Sequence, residues 1–267
     1  MNKQGEEIPE KVDVAKDFYN HEYSDGQSSY EWPDGNPYIA ILKKFVGDYG
    51  LENKRCLEVG CGRGDLQDLV DDYTGIDLAE SIRPFMRKPF FACSAAALPF
   101  PDSSFDAIWS ITVLEHVPEP ENALREILRV SKSGGIIYLE PAWQCRPWAA
   151  DGYAVRPYSD FGIHGKLIKA MIPIRESVIF RSLYVFPLRI ARLAGRLLFR
   201  GSSRFKYRKL NANYTKFWVS DSDACNSMDP HEAILWFRSR GCECLSHPGG
   251  VSSFLVRTGP IIFRIRK

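Results

Sequence analysis

Apolar positions in the middle of the chain gather into short continuous runs, separated by polar, glycine-rich turns and by stretches of helical spacing. Cys56-Leu57-Glu58-Val59 reads as a buried strand broken by one acid, and Tyr73-Thr74-Gly75-Ile76-Asp77 as a second strand ending on another. Phe90-Phe91-Ala92, Ala107-Ile108-Trp109-Ser110-Ile111 and Ile136-Ile137-Tyr138-Leu139-Glu140-Pro141 supply a third, fourth and fifth. Residues 65–70 predict a short helical segment after the first strand. Ala123, Leu124, Ile127, Leu128 and Val130 recur at helical spacing and predict a helix over 120–130, followed by a turn at Ser133-Gly134-Gly135. This alternation predicts a parallel sheet with helices on both faces, whose ligand sits over the strand carboxyl ends where strand order reverses. Near the C-terminus, Asp229 is the expected N-cap and Pro230 the first residue of a helix through Arg240, stopped by Gly241. Cys242–His247 and Ile261–Arg266 then read as closing strands at an antiparallel edge.

The densest chemistry lies in Glu58-Val59-Gly60-Cys61-Gly62-Arg63-Gly64-Asp65. Glycines at alternate positions let the backbone turn sharply and keep side chains away from a ligand. A helix opening there presents unpaired amides to a carboxylate or phosphate. Asp77, at the tip of the second strand, is placed to accept hydrogen bonds from both ribose hydroxyls of an adenosine. The turn alone does not separate nucleotide, dinucleotide and nucleoside cofactors, although the third glycine follows the second too soon for a dinucleotide G-x-G-x-x-G.

Three further motifs narrow the choice: Leu98-Pro99-Phe100 with Ser104-Phe105-Asp106, then Leu114-Glu115-His116-Val117, then Arg129-Val130-Ser131-Lys132-Ser133-Gly134-Gly135. Together with the glycine turn and Asp77, residues 51–142 resemble the class I S-adenosylmethionine-dependent methyltransferases, in their type 11-like branch. The resemblance implies a doubly wound, Rossmann-like α/β fold with a mostly parallel seven-stranded sheet and an antiparallel edge strand. It implies S-adenosylmethionine as cofactor. Glu58 and the backbone around Gly60, Cys61, Gly62 and Gly64 would hold its methionine portion, Asp77 the ribose and Leu78 the adenine face. Ser94, Ala95 and Ala96 would border the adenine edge, with Ser110 near the sulfonium. Relatives commonly carry an acid where this chain has Ser94, whose hydroxyl accepts without a charge. Some relatives that methylate quinone precursors bind a metal through E-x-x-E-H; Thr112 replaces the first acid here, and no metal is expected.

Composition is ordinary for a globular protein, at 45% hydrophobic and 25% charged. Residues 1–17 are polar, so no secretory signal is expected, and no run is long enough to span a bilayer. Seven cysteines, with Cys56 and Cys61 flanking the cofactor turn, favour a reducing, cytoplasmic setting over disulfides. The net charge of +2 hides an asymmetry: residues 143–216 carry 15 bases against 3 acids. Such a shift marks an insertion after the fifth strand. The chain thus divides into a helical and loop preface over 1–50, a cofactor-binding domain over 51–142 plus 217–267, and a basic amphipathic insertion over 143–216. Phe18, Tyr19, Tyr23, Tyr30, Trp32 and Tyr38 cluster in the preface, where Ile39–Val46 has helical spacing and which is expected to fold over the pocket.

Within the insertion, Pro187 reads as the start of a helix to Arg200, with Arg189, Arg192, Arg196 and Arg200 along one face and leucine, isoleucine and alanine around the rest. Three roles fit: packing on the core with the arginines in water, lying on an anionic membrane face, or docking nucleic acid. The last fits least, since the intervening residues are aliphatic rather than polar or stacking.

Methyl transfer is an in-line displacement that needs a positioned acceptor and excluded water. His116, after the fourth strand, is the candidate general base, beside Glu115; the alternative is that both anchor the loop. The expected enzyme methylates an oxygen or carbon of a hydrophobic, lipid-linked or glycan acceptor, at the inner membrane face or elsewhere in the cytoplasm. A small-metabolite methyltransferase with the insertion as lid, or a non-catalytic cofactor-binding or RNA-associated subunit, are the alternatives.

Overall fold

A computed structural model describes residues 4–24, 35–198, 203–216 and 218–266; Tyr30, Trp32, Phe199 and Arg200 lie outside the described residues. In chain order the helices are α1 (Gln4–Ser24), α2 (Tyr38–Tyr49), α3 (Pro120–Val130), α4 (Ile163–Glu176), α5 (Val178–Leu198), α6 (Pro230–Arg238) and α7 (Gly250–Leu255). The strands are β1 (Cys56–Val59), β2 (Tyr73–Asp77), β3 (Phe90–Ala92), β4 (Phe105–Ile111), β5 (Ser131–Glu140), β6 (Tyr207–Lys209), β7 (Asn226–Met228), β8 (Glu243–Cys244) and β9 (Ile261–Arg264).

Seven strands form one sheet in the order β3-β2-β1-β4-β5-β9-β8. The first five run parallel; β9 pairs antiparallel with β5, and the edge strand β8 antiparallel with β9. Strand order reverses between β1 and β4, so the loops after these two strands open a crevice at their carboxyl ends. Alternation along the strands gives the sheet two buried faces. Leu57, Val59, Ile108 and Ile137 pack under α3 and α6, while Cys56, Tyr73, Trp109 and Tyr138 pack under α2 through Leu42, Phe45 and Val46.

The helix expected over 120–130 spans those residues, and α6 is capped as expected, Asp229 Oδ1 accepting from the amide of His231 at 2.9 Å. The segment after Gly64 differs: residues 65–72 form successive turns, with amides of Gln67 and Leu69 bonding three residues back, rather than a helix. These few residues must also return the chain to Tyr73. Gln67 holds the return, donating to Phe85 O at 3.2 Å and accepting from Arg87 N at 2.7 Å. The expected turn at 133–135 lies inside β5, whose pairing with β4 shifts register between Phe105 and Ala107.

The insertion holds α4, α5 and the β6 arm of a two-stranded ribbon with β7. Pro187 does not start a helix. It lies inside α5, where it and Leu183 are both exposed, so the backbone bond that proline removes is lost on the water side. The arginine stripe also differs from its expected orientation. Arg189 is 3% exposed and ion-paired to Asp229 at 2.6 Å; Arg192 pairs with Glu232 at 2.6 Å, and Arg196 donates to Leu235 O at 3.3 Å. The stripe is turned toward α6. A stripe of charges marks one helix face, and acids on a distant element decide whether that face turns in or out.

Candidate functional site

At the carboxyl ends of β1, β2 and β4 lies a cavity of about 900 Å3, within the usual size of a small-molecule site. One wall is the glycine turn. Gly60, Gly62 and Gly64 take φ of +78°, +48° and +75°, which L side chains rarely adopt. Their roles diverge. A Cβ on Gly60 would stand 2.0 Å from Val113 Cγ2, and one on Gly64 2.6 Å from Met86 Sδ, so both positions are emptied for protein packing. A Cβ on Gly62 would meet only Tyr23, from 3.5 Å, so of the cavity-lining glycines Gly60 and Gly62 it is Gly62 whose missing side chain leaves open space.

Asp77 stands opposite this turn. Its Oδ2 accepts from Gly62 N and its Oδ1 from Ala79 N, each at 3.0 Å. Burial raises its pKa, an effect these amides partly offset. The amides fix the carboxylate's orientation at the cavity wall. Glu58 also lines the cavity; burial pushes it up to about 8, although the Tyr73 hydroxyl donates to it at 2.5 Å. Leu78, Cys93, Ser94 and Ala95 continue the wall beyond Asp77. The Ser94 hydroxyl accepts from Ala96 N at 3.2 Å and so caps its own turn.

Of the residues singled out in the sequence, Glu58, Gly60, Cys61, Gly62, Asp77, Leu78, Ser94, Ala95 and His116 line the cavity together. Gly64, Ala96, Ser110 and Glu115 lie outside its lining. Ser110 is 1% exposed within β4, between Val59 and Leu139, and the cavity floor is formed instead by Ile111, Thr112 and Val113. Glu115 is fully buried and anchors a loop, its Oε1 accepting from Ala142 N at 2.9 Å.

His116 and Glu115 therefore separate in role. A 3-10 turn over Leu114–His116 carries both, and the segment before α6 clamps it: Asn226 Nδ2 donates to Leu114 O and to Val117 O at 2.8 Å, and Cys225 N to Glu115 O at 3.0 Å. The same segment brings Asp223, fully buried, whose Oδ2 lies 3.0 Å from His116 Nδ1 and accepts from the Tyr19 hydroxyl at 2.6 Å. Burial alone would lower the imidazole's pKa, but the close negative charge of Asp223, with that of Glu115, raises it to about 9. Asp221 and Ser220 line the same end of the cavity. The stretch 218–226 falls in the expected cofactor-binding domain but has no periodicity or motif to mark a site residue; two aspartates in Ser220-Asp221-Ser222-Asp223 are its one sequence signal.

α1 closes the cavity over its top, through Val12, Ala15, Tyr19 and Tyr23. It is tied down by Asn20, which accepts from Ser81 N at 3.0 Å, and by Arg63, which donates to Tyr23 O at 3.1 Å. The preface thus covers the pocket with tyrosines, and Tyr38 and Ile39 of α2 complete the wall.

The residues present fit an adenosyl sulfonium cofactor. A pinned carboxylate stands ready for a vicinal diol, one bare glycine adjoins it, and small and apolar side chains extend beyond it as a slot for a flat base. Among the described residues no cluster of histidine, cysteine and acids is arranged to hold a metal.

Comparison with known proteins agrees. A family of methyltransferase domains matches residues 57–139. The 2-methyl-6-phytyl-1,4-hydroquinone methyltransferase of Synechocystis is 38% identical over 160 residues, covering 47% of this chain and 50% of that protein. The fatty-acid O-methyltransferase of Mycolicibacterium smegmatis is 29% identical over 200 residues, covering 67% and 71%. Among solved structures, the 1,6-didemethyltoxoflavin-N1-methyltransferase of Burkholderia thailandensis, with bound S-adenosylhomocysteine, aligns with TM-score 0.43 and 19% identity over 52% of this chain and 65% of that one. The chain thus spans half the length of the hydroquinone methyltransferase. With the motifs, sheet order and cavity, the family match identifies residues 57–139 as a methyltransferase domain of the S-adenosylmethionine-dependent kind.

Proposed function

We propose that the protein methylates a hydroxyl-bearing hydrophobic acceptor, at its oxygen or at a carbon activated by that oxygen, with His116 removing the hydroxyl proton. The observation that carries this reading is the His116–Asp223 pair lining the same cavity as Asp77. When bound, S-adenosylmethionine supplies an electrophilic methyl group. Asp223 engages Nδ1 of His116, which leaves Nε2 as the nitrogen for the acceptor's proton. A proton taken there is stabilised by Asp223 and Glu115, the same charges that raise the imidazole's pKa. Ile111, Val113, Val117 and Pro118 line the acceptor end with apolar surface, and α1 excludes water from above.

A phenolic acceptor suits both chemistries, because a phenolate offers its oxygen and its ring carbons to the methyl group. The hydroquinone methyltransferase and the fatty-acid O-methyltransferase are named for acceptors that join an ionisable oxygen to a long apolar body, the combination this cavity favours. We place the protein in the reducing cytosol, in keeping with its seven free cysteines. The test is transfer of labelled methyl from S-adenosylmethionine to a panel of prenylated phenols and long-chain hydroxy compounds, with His116→Ala alongside. A general base contributes about 10²–10⁴-fold, so the variant should lose that much turnover while still binding S-adenosylhomocysteine. Unchanged turnover in the variant would remove His116 from the chemistry.

A further inference from the structure

With the arginines of α5 turned toward α6, the outward surface of α4 and α5 is apolar. On α4, Ile163, Leu167, Met171 and Ile174 follow at steps of four, four and three and are all exposed, Ile163 to 82%. On α5, Ile179 is 78% and Leu183 71% exposed, with Phe180, Tyr184, Leu188 and Ile190 beside them. Only Ser177 separates the two helices. A solvent-facing apolar stripe this long marks an interaction surface.

We infer that this face of α4 and α5 docks the protein on an anionic lipid bilayer, lying in the plane of the interface. Charge selects the occupant. Between residues 163 and 198 the chain has one acid, Glu176, and Arg146 pairs with it at 3.3 Å. Two bases border the face on α4, exposed Lys166 and half-buried Arg175, whose guanidinium lies 5.0 Å from the Trp148 ring centre, and no ion pair among the described residues engages either. A second copy laid on this face would bring the basic border against itself, which disfavours association. Anionic headgroups match the border while acyl chains take the aliphatic stripe, and Phe180 and Tyr184 suit the headgroup level. Among the described residues no helix is long and apolar enough to cross a membrane, which fits a helix pair lying on the surface. The role of the arginines is then structural: they fasten α5 to α6, so that the aliphatic face points away from the body.

This goes beyond methyl transfer, because docking requires neither cofactor nor acceptor. The test is flotation of the purified chain with vesicles of phosphatidylcholine, alone and mixed with phosphatidylglycerol. The protein should rise with the mixed vesicles. An I179E/L183E variant should bind them at least about tenfold less, and Lys166→Gln about fivefold less, as about 1 kcal/mol per base predicts. Thermal unfolding and S-adenosylhomocysteine binding of the same samples should match the wild type, which reads the fold and the cofactor site separately. The inference is overturned if the intact protein stays in the bottom fraction with every vesicle, or if I179E/L183E floats like the wild type. It is also overturned if sedimentation finds a dimer that I179E/L183E splits, which would assign the face to a second copy.

Discussion

Arg189 grips Asp229 with two nitrogens, Nε at 3.1 Å from Oδ2 and Nη2 at 2.6 Å from Oδ1, and so joins the middle of α5 to the N-cap of α6. The same guanidinium donates to Phe254 O and, at 2.7 Å, to Val256 O, tying in the end of α7. Asp229 in turn caps α6, so one carboxylate serves a helix terminus and an interdomain-like fastening at once. Charged pairs thus join packing, such as the Phe186–Phe254 stack with ring centroids 5.6 Å apart, in holding the basic insertion to the cofactor domain.

Removing Arg189 should therefore cost stability rather than lipid binding. Arg189→Ala leaves an acid beside the cap and two carbonyls without their donor. Breaking a buried pair costs about 3–5 kcal/mol, and the low end applies because Asp229 stays a quarter exposed. Urea unfolding should show a loss of about 3 kcal/mol, with an Arg189→Lys variant recovering part of it. A loss under about 0.5 kcal/mol would mean that the fastening is not formed.

The glycine turn offers a contrast between folding and binding. Gly60→Ala places a methyl group 2.0 Å from Val113 Cγ2 and should destabilise the fold, with Val113→Ala relieving part of the clash. Gly62→Ala meets only Tyr23 at 3.5 Å and carries mainly backbone strain of about 1–2 kcal/mol, yet it should weaken S-adenosylhomocysteine binding most, since that backbone faces the cavity. Calorimetric titration beside thermal unfolding separates the two. Equal effects of both variants on affinity at equal stability would contradict the assignment.

Asp77 should dominate cofactor affinity. A charged hydrogen bond contributes about 1.5–3 kcal/mol, so Asp77→Asn should weaken S-adenosylhomocysteine binding about 10- to 100-fold. Asparagine keeps one acceptor but turns an NH2 toward either Gly62 N or Ala79 N, so thermal unfolding beside the titration separates a loosened turn from a lost ligand contact. Unaltered titration heats would exclude Asp77 from the diol.

What the sequence made legible is local. The strand-turn-acid pattern around Gly60 and Asp77, the helix 120–130 and the cap at Asp229 all depend on residues near one another in the chain, and each appears as read. The short helix expected after Gly64 is replaced by successive turns, which the Gln67 side chain ties to residues 85–88. His116 stood out as a residue, but its partner Asp223 comes from a segment with no pattern, more than a hundred positions on. The arginine stripe was visible while its direction was not. Periodicity groups residues on a face, and only the positions of Asp229 and Glu232 in space turn that face inward.

The His116–Asp223 pair makes the most specific prediction about pH. The imidazole's pKa is raised from 6.5 to about 9 in the folded protein, so its charged form favours folding. That contribution is complete below about 6.5 and is lost as pH rises through about 9. The melting temperature of the wild type should therefore exceed that of His116→Gln most at mildly acidic pH, with the gap closing above 9. Turnover should run the opposite way, since only the neutral imidazole accepts a proton: activity should climb with pH toward an apparent pKa near 9. Asp223→Asn removes the charge that most raises that value, so its profile should climb at lower pH, with the His116 resonance in NMR titration moving by the same amount. A shared shift in rate and resonance would establish His116 as the titrating base and Asp223 as the residue that positions it. A rate profile that ignores Asp223→Asn would assign the proton to another group in the cavity.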